Sequence, residues 1–260
     1  MTQFLSPEYW NERYLTNDFA WDAGTITIPL QTYFDQLFNK EVKILIPGAG
    51  NAHEAEYLVK NGFTNVYVCD IALEPLKNLK KRCPTFKSEN LLLVDFFQLN
   101  NIKSNIADVS SSIGDVKSSI GNVKSSVGDV KSSVVDVKSS IGDVKSSIGD
   151  VRSSVVDVRS SVVETYDLII EQTFFCALDP KLRSTYFKKI EQLLNPGGKL
   201  VGVLFDDKLN TDKPPFGGNK EEYLTYITGT LKVKTFERCY NSIKPRKDRE
   251  LFINLVKQNQ

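Results

Sequence analysis

The stretch Val42-Lys43-Ile44-Leu45-Ile46-Pro47-Gly48-Ala49-Gly50-Asn51 decides the fold class. A short apolar run closed by a Pro- and Gly-rich turn reads as a strand. Residues 53–61, just beyond the turn, have helical spacing and are closed by Gly62. Strand, tight turn and helix in immediate succession form the repeating unit of an α/β sheet.

The same unit recurs along the chain. Val66-Tyr67-Val68-Cys69 ends at Asp70, and residues 74–82 read as a basic-faced helix stopped before Pro84. Leu91-Leu92-Leu93-Val94 ends at Asp95, and Tyr166-Asp167-Leu168-Ile169-Ile170 ends at Glu171. A helix over residues 180–194 stops at Asn195-Pro196-Gly197-Gly198, and residues 199–205 form a fifth strand. Strands this apolar, without alternation, are buried on both faces, as in a parallel sheet covered by helices. Residues 232–239 and 250–256, joined through a Lys-Pro-Arg turn, read instead as an antiparallel pair at one edge. The expected fold is therefore α/β: a doubly wound Rossmann-like sheet, mostly parallel, with an antiparallel C-terminal edge pair.

Between the third and fourth strands lies a repeat. Ser-Ser-Ile/Val-Gly/Val-Asp/Asn-Val-Lys/Arg recurs seven times from Ser111 to Arg159, with a degenerate copy before it and a fragment after it. Its apolar positions alternate in steps of three and four, which is coiled-coil spacing. Its serines, glycines and aspartates are poor helix formers, so association would have to supply the stability. A single straight helix of this length would run roughly 80 Å, yet the insertion must return to the sheet. The expectation is a helical hairpin or coiled coil, or else a disordered loop, over residues 99–163. Residues 1–98 and 164–260 then form one discontinuous domain. Near-identical copies cannot supply the differing residues a catalytic site needs, so the repeat is read as a surface expansion or a self-association arm.

Composition excludes several classes. Thirty-three basic residues against 32 acidic ones give a net charge of +1, which argues against a nucleic-acid binder. Four scattered cysteines (Cys69, Cys83, Cys176, Cys239) and the single histidine His53 make a structural zinc site improbable and fit reduced thiols. Neither a signal peptide nor an apolar stretch of about 18 residues is visible, so a cytoplasmic protein without a membrane span is expected.

In such a sheet the ligand binds outside the carboxyl ends of the strands. Those ends carry Gly48 and Gly50, then Asp70, then Asp95 and Phe96, then Glu171 and Gln172. Small residues after the first strand let a ligand lie against backbone amides at a helix start. Asp70 comes 20 residues after Gly50, the spacing at which a carboxylate meets ribose hydroxyls. Asp95 could accept from an adenine amino group. Each acid alone could equally be a helix cap, but three at successive strand ends favour a ligand. The third glycine of a dinucleotide fingerprint is missing, because His53 occupies its place.

Further residues carry a resemblance. The Leu193–Leu200 run resembles the turn before the fifth strand in class I methyltransferases, and Tyr9-Trp10-Asn11-Glu12-Arg13-Tyr14 with Trp21-Asp22, Ile46-Pro47-Gly48-Ala49-Gly50, residues 166–178 and Pro214-Pro215-Phe216-Gly217-Gly218 narrow it further. In these the chain resembles the thiopurine S-methyltransferase family, class I S-adenosylmethionine-dependent methyltransferases with thiol, thiocyanate and halide relatives. The resemblance implies S-adenosyl-L-methionine as cofactor, contacted by the segment from Trp10 to Trp21 and by Gly48, Asp70, Asp95, Phe96 and Gln172. It also implies that the N-terminal segment folds over the cofactor, with Trp21 near the substrate. Gln172 stands where animal thiopurine enzymes carry arginine, so an electrostatic role there is not inherited.

The reaction so implied is in-line methyl transfer to a small thiol or similar soft nucleophile, in which positioning and exclusion of water dominate. Trp21, Phe174, Phe175 and Phe216 are the candidate walls of the acceptor pocket. Asp22 and Asp206, with Asp207, are the candidate proton acceptors, whereas His53 reads as a capping or surface histidine. Two rivals remain: a nicotinamide-dependent oxidoreductase, and an inactive methyltransferase-like scaffold associating through its repeats.

Overall fold

The computed structural model describes residues 5–99 and 165–259. All but Gln98 and Leu99 belong to one unit of the chain, residues 1–97 and 163–260. The heptad repeat, and with it the choice between hairpin, coiled coil and disorder, lies outside the described residues.

Seven strands form one sheet: β1 (Ile44–Pro47), β2 (Val66–Asp70), β3 (Leu91–Leu93), β4 (Tyr166–Gln172), β5 (Leu194–Phe205), β6 (Leu231–Arg238) and β7 (Glu250–Lys257). Their order is β3-β2-β1-β4-β5-β7-β6. The first five pair in parallel, while β7 pairs antiparallel with both β5 and β6. The expected edge pair is present, with the later strand innermost. Every residue of β1 is buried, as its unalternating sequence required. The order reverses at β1, from which the chain winds to β2 on one side and β4 on the other. The crevice at the carboxyl ends of these strands is where such sheets hold ligands.

Helices α1 (Pro7–Leu15), α2 (Ile28–Phe34), α3 (His53–Lys60), α4 (Leu73–Arg82), α5 (Arg183–Leu193) and α6 (Lys220–Tyr226) complete the unit. Leu30 and Phe34 of α2 pack with Ala55, Leu58, Leu76 and Leu79 against Ile44, Ile46, Leu168 and Val201. Each fully buried leucine, isoleucine, valine or phenylalanine among them contributes about 1.5–3 kcal/mol. A second cluster is aromatic: Phe175 lies 5.1 Å from Tyr186, 5.5 Å from Phe187 and 5.2 Å from Tyr223, ring centre to ring centre.

Two details depart from the sequence-based expectation. Residues 180–182 form a single 3-10 turn ahead of α5, since Pro180 removes an amide and Asp179 caps Lys181 N. The Asn195-Pro196-Gly197-Gly198 turn is drawn into β5 as an irregularity, because Tyr166 pairs with Leu194 while Leu168 pairs with Lys199.

Candidate active site

The N-terminal segment reaches the sheet through a helix cap supplied from a distance. Ser6 caps α1 by accepting from Tyr9 N, and Pro7 occupies the first turn, where a missing amide costs nothing. Asn11, on α1, accepts from the amides of Leu73 and Glu74 at 3.1 and 2.9 Å. The start of α4 has no side-chain cap of its own, so Asn11 serves it in trans. Arg13 braces the aromatic side chains around it: its guanidinium stands 4.7 Å from the Trp21 ring centre and donates to the Tyr9 hydroxyl at 2.9 Å. Trp10 meets Trp21 edge-on at 5.6 Å.

Beneath this segment, at the carboxyl ends of β1, β2 and β4, is a cleft of about 1050 Å³. Trp10, Trp21, Asp22, Gly48, Gly50, Asp70, Asp95, Phe96, Gln172, Phe174 and Phe216 all line it. So the structure brings together most residues singled out from sequence, from six separate parts of the chain.

At the first turn Gly48 and Gly50 both have left-handed φ, +53° and +51°. A Cβ on Gly48 would lie 2.0 Å from the Phe174 ring, and one on Gly50 would lie 2.7 Å from the Tyr14 hydroxyl oxygen. The close approach these glycines permit is thus made in part by the protein's own aromatic side chains. The amides of Ala49, Gly50 and Ala52 are also used internally, donating to Cys69 O, Asp70 Oδ2 and Ala49 O.

Asp70 ends β2. One oxygen accepts from Ala72 N at 2.8 Å and the other from Gly50 N at 2.9 Å. Burial pushes its carboxyl above the ordinary value, while the amides of Ala72, Gly50 and Ile71 pull the other way. Asp95 accepts from Phe97 N at 2.9 Å. Each carboxylate has spare acceptor sites after these bonds. Gln172 ends β4, and its Oε1 accepts from the Thr27 hydroxyl at 2.9 Å. Its buried Nε2 has no hydrogen-bond partner among the described residues.

Glu171 departs from the expectation. It is 1% exposed and lies outside the cleft lining. Its Oε1 accepts from Phe174 N and Phe175 N at 2.8 and 2.9 Å, and its Oε2 accepts from the Tyr186 hydroxyl at 2.6 Å. Burial raises its carboxyl to about 7, against the opposing pull of those three bonds. It shapes the turn that presents Phe174, a turn begun by Thr173 at φ +60°, unusual for a β-branched residue. Phe175 likewise belongs to the aromatic core, not to the cleft lining.

Asp206 and Asp207 also lie outside the cleft lining. They pair with Arg238 and Arg249. Asp22 does line it, and His53 is its partner there at 2.8 Å, so the histidine is no bystander on the helix surface. Arg246 was not singled out from the sequence beyond its turn. It lines the cleft, donates to Trp21 O at 2.5 Å and pairs with Glu250 at 3.4 Å. Arg183 was missed as well. Buried at 2% exposure, it holds Gly217 O at 2.6 Å and Glu222 at 2.6 Å, and so fixes the loop that carries Phe216. A basic residue opening a helix gives no sequence signal of such a role.

Among the described residues no helix is long and apolar enough to cross a membrane, and no group of three or more His, Cys, Asp or Glu side chains could hold a metal ion.

The profile of the family described as Thiopurine S-methyltransferase (TPMT) matches residues 5–110 and 128–259. From Arabidopsis thaliana, Probable thiol methyltransferase 2 is 38% identical over 58 residues and Thiocyanate methyltransferase 1 is 31% identical over 88. These alignments span 22% and 33% of this chain and 26% and 38% of those relatives, well under half their length. The solved 1,6-didemethyltoxoflavin-N1-methyltransferase of Burkholderia thailandensis superposes with a TM-score of 0.58 at 10% identity, over 97% of this chain and 87% of that one. At that identity the likeness speaks for the fold.

Proposed function

We propose that this chain, which belongs to the thiopurine S-methyltransferase family, transfers a methyl group from S-adenosylmethionine to a small thiol or similar soft nucleophile. The observation that carries the reading is the convergence of Asp70, Asp95, Phe96 and Gln172 with Trp10 and Trp21 around one cleft. The names of the Arabidopsis relatives favour a sulfur acceptor.

The residues present fit the cofactor. The buried Asp70 carboxylate keeps acceptor capacity for the two ribose hydroxyls, which would offset its burial. Asp95 would accept from the adenine amino group, with Phe96 beside the base. The unpartnered Gln172 Nε2 supplies a buried donor that a ligand oxygen or sulfur would satisfy. When bound, S-adenosylmethionine supplies an electrophilic methyl group on a sulfonium. The chain's own contribution is to orient the acceptor and exclude water. Trp21, Phe174 and Phe216 provide the apolar wall for a polarisable acceptor, and the N-terminal segment covers the cleft from above.

Calorimetric titration with S-adenosylhomocysteine and with NAD tests the cofactor. Transfer of labelled methyl to a panel of thiols, thiocyanate and iodide tests the acceptor. Tight NAD binding without heat from S-adenosylhomocysteine would overturn the reading, and binding without transfer to any acceptor would leave an inactive scaffold.

A further inference from the structure

The cleft contains a carboxylate–imidazole pair that no sequence motif joins. Asp22 lies on the loop after α1, and His53 opens α3, and both line the cleft. Asp22 Oδ1 and His53 Nε2 are 2.8 Å apart. The carboxylate is itself fixed: Oδ1 accepts from Gly24 N at 2.6 Å and Oδ2 from Asn51 Nδ2 at 2.6 Å. Asn51 is held in turn by Asn78 at 3.0 Å and by Arg82, which donates to its carbonyl. Burial alone would raise the Asp22 carboxyl, but the bonds from His53, Asn51 and Gly24 together hold it at about 2. An ionised, immobilised acid on one ring nitrogen fixes the tautomer and the ring orientation, the arrangement by which enzymes make histidine a base. The second ring nitrogen, Nδ1, has no hydrogen bond within the protein among the described residues.

We propose that His53, oriented by Asp22, takes the proton of the acceptor thiol in this cleft. The proposal rests on the thiol-methylating reading above. A thiol with a pKa of about 8.5 is only a few per cent ionised at neutral pH, so a nearby base increases the reactive fraction. The thiol S–H bond breaks and its proton passes to Nδ1. The sulfur electron pair forms the bond to the methyl carbon while the carbon–sulfonium bond breaks, its electrons remaining on the departing thioether. The imidazolium, still paired with Asp22, then returns the proton to water. Other charged groups within range of the pair are Glu54 on α3, whose carboxyl burial pushes up, and Arg246 ahead of β7. The guanidinium of Arg246 is already engaged by Trp21 O and Glu250.

A purely structural pair would act as a latch between the N-terminal segment and α3. His53→Gln separates the two roles, since glutamine can hold Asp22 by a hydrogen bond but cannot accept the proton. For an alkyl thiol, we expect kcat/KM of His53→Gln to fall about 10²-fold at neutral pH and to recover as pH rises through the thiol's own ionisation. For an acidic aromatic thiol, already ionised, it should change little. A readout without turnover is also at hand, because the chain has one histidine. In the S-adenosylhomocysteine complex, adding the alkyl thiol should move the single set of imidazole resonances to the protonated position, with thiolate absorbance appearing in wild type and not in His53→Gln. Equal loss for both thiols at every pH, no loss for either, or no change in His53 protonation would overturn the proposal. Wild type methylating no thiol would overturn the acceptor class instead, a result separable from any behaviour of the variant.

Discussion

The carboxylate of Asp70 at the end of β2 accepts the amide of Gly50 across 2.9 Å, tying together the two turns that flank the cleft. The bond makes Asp70 a structural element and a candidate ligand at once. In Asp70→Ala both roles are lost, and S-adenosylhomocysteine affinity should fall by about 1.5–3 kcal/mol. Calorimetry on a variant with an unchanged circular dichroism spectrum checks this, and near-wild-type affinity would confine Asp70 to bracing the turns.

Asn11→Ala should cost about 1 kcal/mol of stability, the usual worth of a helix cap. The cap is supplied by α1, so the loss should appear mainly as faster amide exchange in residues 5–27 and weaker cofactor binding. Uniform destabilisation with an unchanged N-terminal exchange rate would be the contrary result.

Glu171 ties stability to pH. Its carboxyl is raised from 4.5 to about 7 in the folded protein, so between those values the native state binds more proton than the unfolded one. Stability from this group is therefore fully present below about 4.5 and lost as pH rises through about 7, by roughly 3 kcal/mol at most. Glu171→Gln should flatten that portion of the denaturation-against-pH curve, which urea titrations at several pH values would reveal.

Arg183→Leu leaves Gly217 O without its donor and Glu222 without its cation, with only the Tyr226 hydroxyl still on that carboxylate among the described residues. A loss of about 2–3 kcal/mol in stability is expected. With the Phe216 loop loosened, KM for the acceptor should rise while S-adenosylhomocysteine affinity stays close to wild type. A parallel loss of both would mean the loop supports the whole cleft.

Joining Leu99 to Glu164 through a short Gly/Ser linker should preserve cofactor affinity and turnover. Loop entropy changes slowly with length, and copies of one heptad hold no distinguished site. Sedimentation of both forms will show whether self-association goes with the repeat. A folded but inactive short form would place the repeat in the site.

Most of the sheet was legible because a strand buried on both faces has no choice but to be apolar, as in β1, β4 and β5. Asp70 and Asp95 were legible because position at a strand end implies position at the cleft. Glu171 shows the limit: it too ends a strand run, yet β4 continues to Gln172, and one residue in a strand turns a side chain to the opposite face. Asp22 and His53, 31 residues apart, meet through tertiary packing, with no local periodicity to announce it. The same holds for Arg183, whose partners Gly217 and Glu222 lie more than 30 residues on.

The placement of β7 between β5 and β6 sets an order of events during synthesis. As the chain emerges from the ribosome, β6 precedes β7, the only strand it pairs with among the described residues, and β5 presents an open edge until residues 250–257 arrive. Arg246, which donates to Trp21 O and pairs with Glu250, emerges at that same late stage. The parallel strands β1 to β5 are thus synthesised before the last cleft-lining residue, Arg246. The cleft cannot be whole until the segment that leads into β7 has been made.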